Sequence, residues 1–294
     1  MYVRGLTLPD NNKTVSIGGS VEKAIKGEYS IDVKAVLTEA WQNTLKSRIS
    51  INLGLLAVLF LGMFVSYVAS SFFGGIDVVF KAAQNEDSQA LQMINIVVTI
   101  AIWPFIAGIE MMGISHAINK PTQSKMIFSF LHRGSWVALC ALLTSLLISI
   151  GVQLFIIPGV LLTVMLSLTV PLVIDKKLSP VQAITLSIKA LRFKLMPLLV
   201  IYFALFMAFI LLLLPIALLI DSSLAPIGIV IFLVGISYVA PWYYNVKGVL
   251  YRDIFGVLVD QNSININEDD STDKRKNLEN KESSNNGSDD TFSA

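Results

Sequence analysis

Five blocks of this sequence run for about 20 residues or more almost without charge, and they limit the chain more than any other feature. They are Ile51–Phe73, Leu91–Met112, Trp136–Ile174, Leu195–Ile220 and Leu224–Tyr244, and Glu110 is the single Asp, Glu, Lys or Arg among them. Segments of this length and polarity are long enough to cross a hydrocarbon core of about 30 Å as helices. In lipid the backbone must satisfy its own hydrogen bonds, so a helix is the only open-chain solution. Charged residues make up 15% of the 294 residues, against about 25% in a typical soluble domain. The deficit falls in the blocks rather than along the whole chain, so the fold class is all-α: a polytopic membrane helix bundle.

The third block is too long for one span. Pro158-Gly159 stands in its middle as a turn signal and divides it into a hairpin, Trp136–Phe155 and Gly159–Ile174, which gives six spans in all. A shallow re-entrant hairpin is the alternative. Of the 22 Lys and Arg, 21 then fall on one side of the membrane, and Lys81, beside Asp77, Glu86 and Asp87, falls alone on the other. The positive-inside rule places that basic side, with both termini, in the cytoplasm. A single crossing by residues 136–174 would send the basic loop Lys176–Lys194 outward, so the charge split favours the hairpin. Leu45-Lys46-Ser47-Arg48, Leu131-His132-Arg133 and Leu191-Arg192-Phe193-Lys194 each precede an odd-numbered span. They suggest three units of surface helix plus transmembrane hairpin.

Residues 1–29 read as a flexible cytoplasmic arm, 30–256 as the membrane domain and 257–294 as a disordered acidic tail. From Asp260 the tail holds nine acidic and four basic side chains and almost nothing apolar, too little to fold alone. No secretory signal opens the chain, so the first span is expected to direct insertion. Two amphipathic helices are expected on the cytoplasmic face. The first starts at a Ser30 cap, with an apolar stripe of Val33, Leu37, Trp41, Leu45 and Ile49; it either lies on the membrane surface or packs on the protein. The second is Ser179–Lys194, with Ser179 as cap, Pro180 in the first turn and a stripe of Val181, Ile184, Ile188, Leu191 and Leu195. Lys189, Arg192 and Lys194 gather at its end as candidates for anionic lipid head groups; the alternative is a connector docked under the bundle.

No catalytic constellation is legible. No phosphate-cradling loop, zinc motif or nucleophile elbow occurs, so no catalytic residue, metal or cofactor is expected. Cys140 reads as a buried small side chain. His116 and His132 share one loop and are expected at the head-group level. Glu110, near the inner end of its span, is expected to pair with Lys120 or Arg133 rather than relay protons. Ser145, Ser149 and Gln153 share a face of the third span at four-residue spacing. With Thr144, Thr99, Thr163 and Ser167 they either line a polar path or make ordinary contacts between helices. Several spans carry prolines, and Trp242, Tyr243 and Tyr244 read as an interfacial belt closing the last span.

The run Ile156-Ile157-Pro158-Gly159-Val160, then Pro171-Leu172-Val173-Ile174-Asp175-Lys176, then Ala183 and Ser187 before a basic end, resembles the YciC-like family of bacterial inner-membrane proteins. It also resembles the membrane domain attached to some glycerophosphodiester phosphodiesterases. The likeness is best over residues 130–214. It implies six helices in a bacterial inner membrane and brings no catalytic residues; the phosphodiesterase domain has no counterpart in this sequence. The expected function is non-enzymatic: organising or maintaining the membrane through membrane lipids or other envelope proteins, with no nucleic acid as partner. Transport of a lipid-like or small neutral solute is the alternative.

Overall fold

The computed structural model describes residues 14–73, Gly75, Asp77 and 89–260. The described residues fall into two units, 14–17 with 257–260, and those from 18 to 256. Within the first, β1 (Thr14–Ile17) pairs antiparallel with β2 (Val257–Asp260), Thr14 opposite Asp260 and Ile17 opposite Val257. The second unit is helical: α1 (Val21–Lys26), α2 (Val33–Phe72), α3 (Gln89–Ala117), α4 (Gly134–Leu154), α5 (Ile156–Met165), α6 (Thr169–Asp175), α7 (Pro180–Leu191), α8 (Leu195–Leu219) and α9 (Ala225–Phe255). Among the described residues, six helical stretches are long and apolar enough to cross a membrane, so the chain is a multi-pass membrane protein.

Residues 14–29 depart from the expected flexible arm. Besides β1 they form α1, capped by Ser20 and closed by Gly27 in the left-handed region at φ 76°. The Tyr29 hydroxyl donates to the Ala190 carbonyl at 2.8 Å, and burial pushes its phenol up to about 12. The expected acidic tail begins as strand β2; its remainder, like residues 1–13 and the Lys81 loop, lies outside the described residues.

The cap of α2 is Asp32, not Ser30. Its carboxylate accepts from Lys34 N at 2.9 Å and Ala35 N at 3.1 Å, engaging two otherwise orphaned donors. At Ser47 the backbone leaves helical geometry (φ −133°, ψ 16°), so the amphipathic segment and the first span meet at a kink. The freed Ser47 carbonyl accepts from Ser50 Oγ at 3.1 Å. One face of the amphipathic segment packs on the protein. Val36, Ala40, Asn43 and Thr44 are buried against the bundle, while Trp41, Leu45 and Ile49 of the expected stripe stay exposed.

The hairpin turns at Phe155 rather than at Pro158-Gly159. Phe155 is the only residue between α4 and α5 and is extended, and Pro158 lies inside the first turn of α5. There a missing N–H costs nothing, because that donor has no partner within the helix. Gly159 instead serves close approach: a Cβ on Gly151 would stand 3.1 Å from the Gly159 Cα. The 21 residues of α4 run about 31 Å, a full crossing. The chain then returns to the end it left, where Arg133 Nη1 donates to the Val173 carbonyl at 3.1 Å.

The core lies towards that same basic end. Ile51, Val58, Ile102, Ile109, Met112 and Ile127 form one buried cluster between α2, α3 and the short 3-10 turn Ser124–Phe128. α9 packs against α2 and α3. Gly113 and Gly248 let α3 and α9 touch backbone to backbone: a Cβ on Gly248 would run into the Gly113 carbonyl.

Candidate functional site

α9 is longer than its hydropathy indicates. Lys247 and Arg252, read from sequence as following the last span, lie on a helix that continues to Phe255 and stops at Gly256 with φ 65°. Lys247 is therefore carried into the bundle, and it pairs there with Glu110 of α3. Their side chains are 7% and 3% exposed. Glu110 is thus in an ion pair as expected, but with Lys247 instead of Lys120 or Arg133. Lys247 Nζ donates to Glu110 Oε1 and also stands 5.7 Å from the centre of the Tyr243 ring. The second carboxylate oxygen, Glu110 Oε2, is buried without a hydrogen-bond partner.

This pair stands at the inner end of a cavity of about 800 Å³ between α3, α4, α5, α6, α8 and α9. That volume is within the range of small-molecule sites, about 300–1,000 Å³. Part of the lining is buried with the pair: Ala141, Thr144, Val164 and Val170. Towards the rim it is exposed and apolar, with Val160, Val200, Phe203 and Phe206 all more than 45% exposed. These side chains belong to helical stretches long and apolar enough to cross a membrane, and the exposed apolar part of the lining comes from α5 and α8.

The wall hydroxyls have local uses. Thr144 donates to Cys140 and Ala141, Ser145 to Leu142, Thr163 to Gly159, Ser167 to Val164 and Thr169 to Leu166, all carbonyls of their own helical segments. Their donors are occupied and their oxygen lone pairs remain as acceptors. Tyr202, also on the wall, has the Ser167 hydroxyl close by without a well-formed bond.

The expected polar path is only partly assembled. Thr144, Ser145, Thr163 and Ser167 line the cavity, but Ser149 and Gln153 lie outside its lining and are exposed. Thr99 donates to Asn95 on its own helix. Of the head-group candidates, Lys189 and Arg192 are exposed, Lys194 is half-buried, and Arg192 stacks on Phe193 at 4.7 Å. α7 begins with a capping box, Ser179 N to Gln182 Oε1 at 3.1 Å and Gln182 N to Ser179 Oγ at 3.4 Å. Its buried face is Pro180, Ala183, Ile184, Ser187, Ala190 and Leu191, rotated from the expected stripe, and Val181 is exposed. Ser187 Oγ donates to the Met165 carbonyl at 2.6 Å, where α5 ends. The helix is docked on the bundle, and its cations remain at the surface.

Below the ion pair is a second buried polar group. Asn245 Nδ2 donates to Thr44 Oγ1 at 2.9 Å, so its oxygen accepts from His116 Nδ1 at 2.8 Å; His116 Nε2 contacts Thr122 Oγ1 at 2.7 Å. His116 is buried and bonded at both ring nitrogens, while His132 donates to the Ser129 carbonyl at 3.2 Å. Arg252 grips Glu39 with both terminal nitrogens and donates to the Ala117 carbonyl at 2.7 Å. Among the described residues no group of three His, Cys, Asp or Glu stands close enough to hold a metal ion.

Sequence reasoning missed Lys247, Asn245, Tyr202 and Tyr243. The signal for the first two was present: beyond the Trp242–Tyr244 aromatics, Val246, Val249, Leu250 and Ile254 continue apolar at helical spacing, which marks a helix that goes on into protein. No protein-family model matches the chain, nor does any curated protein or solved structure.

Proposed function

We propose that this chain is a non-enzymatic protein of a bacterial inner membrane, with both termini cytoplasmic, that takes up a membrane lipid sideways into its cavity and helps organise or maintain the bilayer by holding it. The observation that carries this reading is the cavity: apolar at an exposed rim, polar at a buried inner end. An amphiphile entering from the bilayer meets those environments in the order of its own chain and head. A water-soluble solute would have to cross the apolar rim first, and Ser149 and Gln153 lie outside the lining, which favours an amphiphile over such a solute. The resemblance to the YciC-like family and the basic charge of one end of the bundle support the membrane and the orientation.

The test is the lipid itself. Protein extracted with its surrounding bilayer and then exchanged into detergent should retain about one lipid per chain by native mass spectrometry. Thr163→Trp, an exposed position on the cavity wall, should reduce that lipid to the background of loosely attached molecules while leaving the fold intact. Equal retention in wild type and variant refutes the cavity reading. Orientation is tested separately: an impermeant thiol reagent outside intact cells should label Ser222→Cys and spare Ser179→Cys. The reverse pattern would invert the topology.

A further inference from the structure

The ion pair does more than close the inner end of the cavity. Building on the lipid reading above, we propose that Glu110 and Lys247 select a lipid whose head group has no net charge and carries an N–H or O–H donor. Three observations lead there.

First, Glu110 Oε2 is buried with no partner although it belongs to a cavity-lining residue. A buried carboxylate oxygen is ordinarily bonded, because leaving it bare forfeits the hydration it had in water. It accepts only, so its missing partner is a donor. Second, no donor of the wall reaches it: the five serine and threonine hydroxyls named above give their protons to backbone carbonyls, and the Tyr202 hydroxyl, on the same wall and itself without a partner, does not bond Glu110. The group that completes Glu110 therefore arrives with the ligand. Lys247 has three N–H donors and gives one to Glu110 Oε1, so an oxygen of the ligand can be held by the same pair. Third, the pair is net neutral and almost fully buried. An anionic head would add an uncompensated charge to a site with little water, which is costly. A neutral or zwitterionic head adds none.

Phosphatidylethanolamine meets all three conditions, with its ammonium to Glu110 Oε2 and its phosphate to Lys247. Diacylglycerol meets them with its hydroxyl and an ester oxygen. Phosphatidylcholine is also net neutral but has no donor, and phosphatidylglycerol has donors but is anionic. These four lipids separate the two requirements. Full-length protein is reconstituted into nanodiscs holding them in equal amounts, released, and its retained lipid counted by native mass spectrometry. Phosphatidylethanolamine or diacylglycerol should exceed both others by about tenfold or more, the gain expected from one charge-assisted hydrogen bond. Which of the two leads identifies the donor as ammonium or hydroxyl. Equal retention of phosphatidylcholine overturns the donor requirement, and equal retention of phosphatidylglycerol overturns neutrality.

Removing one partner of a buried pair endangers folding, so the variant is the double one, Glu110→Leu with Lys247→Met, which keeps volume without charge. It should still retain lipid, with the preference reduced to about twofold or less. A preference that survives in the double variant overturns the inference and leaves the cavity reading standing. Loss of all lipid from wild type overturns the cavity reading itself.

Discussion

From Ala225 to Ala240, α9 buries one residue, Gly228, whereas from Pro241 to Phe255 it buries ten, including Asn245, Lys247 and Tyr251. The first half is the more apolar in sequence, yet it carries little of the tertiary packing. α8 behaves similarly: it has the highest hydropathy of the spans and buries only Leu198, Ile201 and Leu205. The contrast follows from the solvent. Lipid tails are as apolar as leucine, so an apolar face gains little by leaving lipid for protein. Polar groups have no such substitute for a partner, and they gather where the helices can supply one to another. In this protein that place is the basic end, where α2, α3 and α9 join through Thr44, Asn245 and His116 and through Glu39 and Arg252.

If the inner half of α9 is the core, cutting its central pair should be the most damaging single change. Lys247→Ala leaves the Glu110 carboxylate buried and unpaired, and should cost about 3–5 kcal/mol. Leu233→Ala, in the outer half with its side chain 57% exposed, should stay within about 0.5 kcal/mol. Reversible unfolding in detergent measures both. Similar losses at the two sites would break the comparison.

Glycine sharpens it on the same helix. Gly248→Ala places a methyl against the Gly113 carbonyl, a backbone atom that cannot move without shifting α3 against α9. Such overpacking costs about 1–3 kcal/mol. Gly235→Ala, in the outer half, meets instead the end of the Leu212 side chain, which can change rotamer, and the cost should be less than about 1 kcal/mol. A larger loss at Gly235 than at Gly248 would show that α8 and α9 carry more of the fold than their burial indicates.

The sequence was most informative where one physical rule acted alone. The spans, the return of the hairpin and the Ser179 cap with Pro180 were legible because hydrophobic length, chain reversal and capping each leave a local mark. Errors arose where rules compete. Pro158-Gly159 carries a turn signal, but proline is equally at home in a helix's first turn, and here the turn comes earlier, at Phe155. Lys247 looked like a loop cation because charge usually ends a span; only its distant partner Glu110 makes burial affordable. The cavity depends on side chains from six helices, and no local pattern announces such a convergence. Ser145 was found by spacing, and Ser149 and Gln153 were included by the same spacing, because a shared helix face widens over two turns beyond what one cavity can reach.

The last contrast separates charges inside the basic end from charges on it. Lys247 and Arg252 are held by carboxylates, whereas Lys189, Arg192 and Lys194 stand at the surface of α7 and the turn after it. α7 is fixed by its small and apolar buried face, by Ser187 to Met165, and by Tyr29 to Ala190, none of which needs those cations. Replacing all three by glutamine should therefore leave folding stability within about 0.5 kcal/mol. The effect should appear in lipid contact instead. A basic residue near an anionic surface contributes about 1 kcal/mol, screened over about 10 Å at 0.1 M salt. The variant in nanodiscs should then gather less phosphatidylglycerol around it, by a margin that shrinks as salt rises, while the lipid in the cavity is unchanged. A loss of stability as large as that of Lys247→Ala would place these cations in the core and erase the distinction. Unchanged phosphatidylglycerol at low salt would leave α7 as a connector alone.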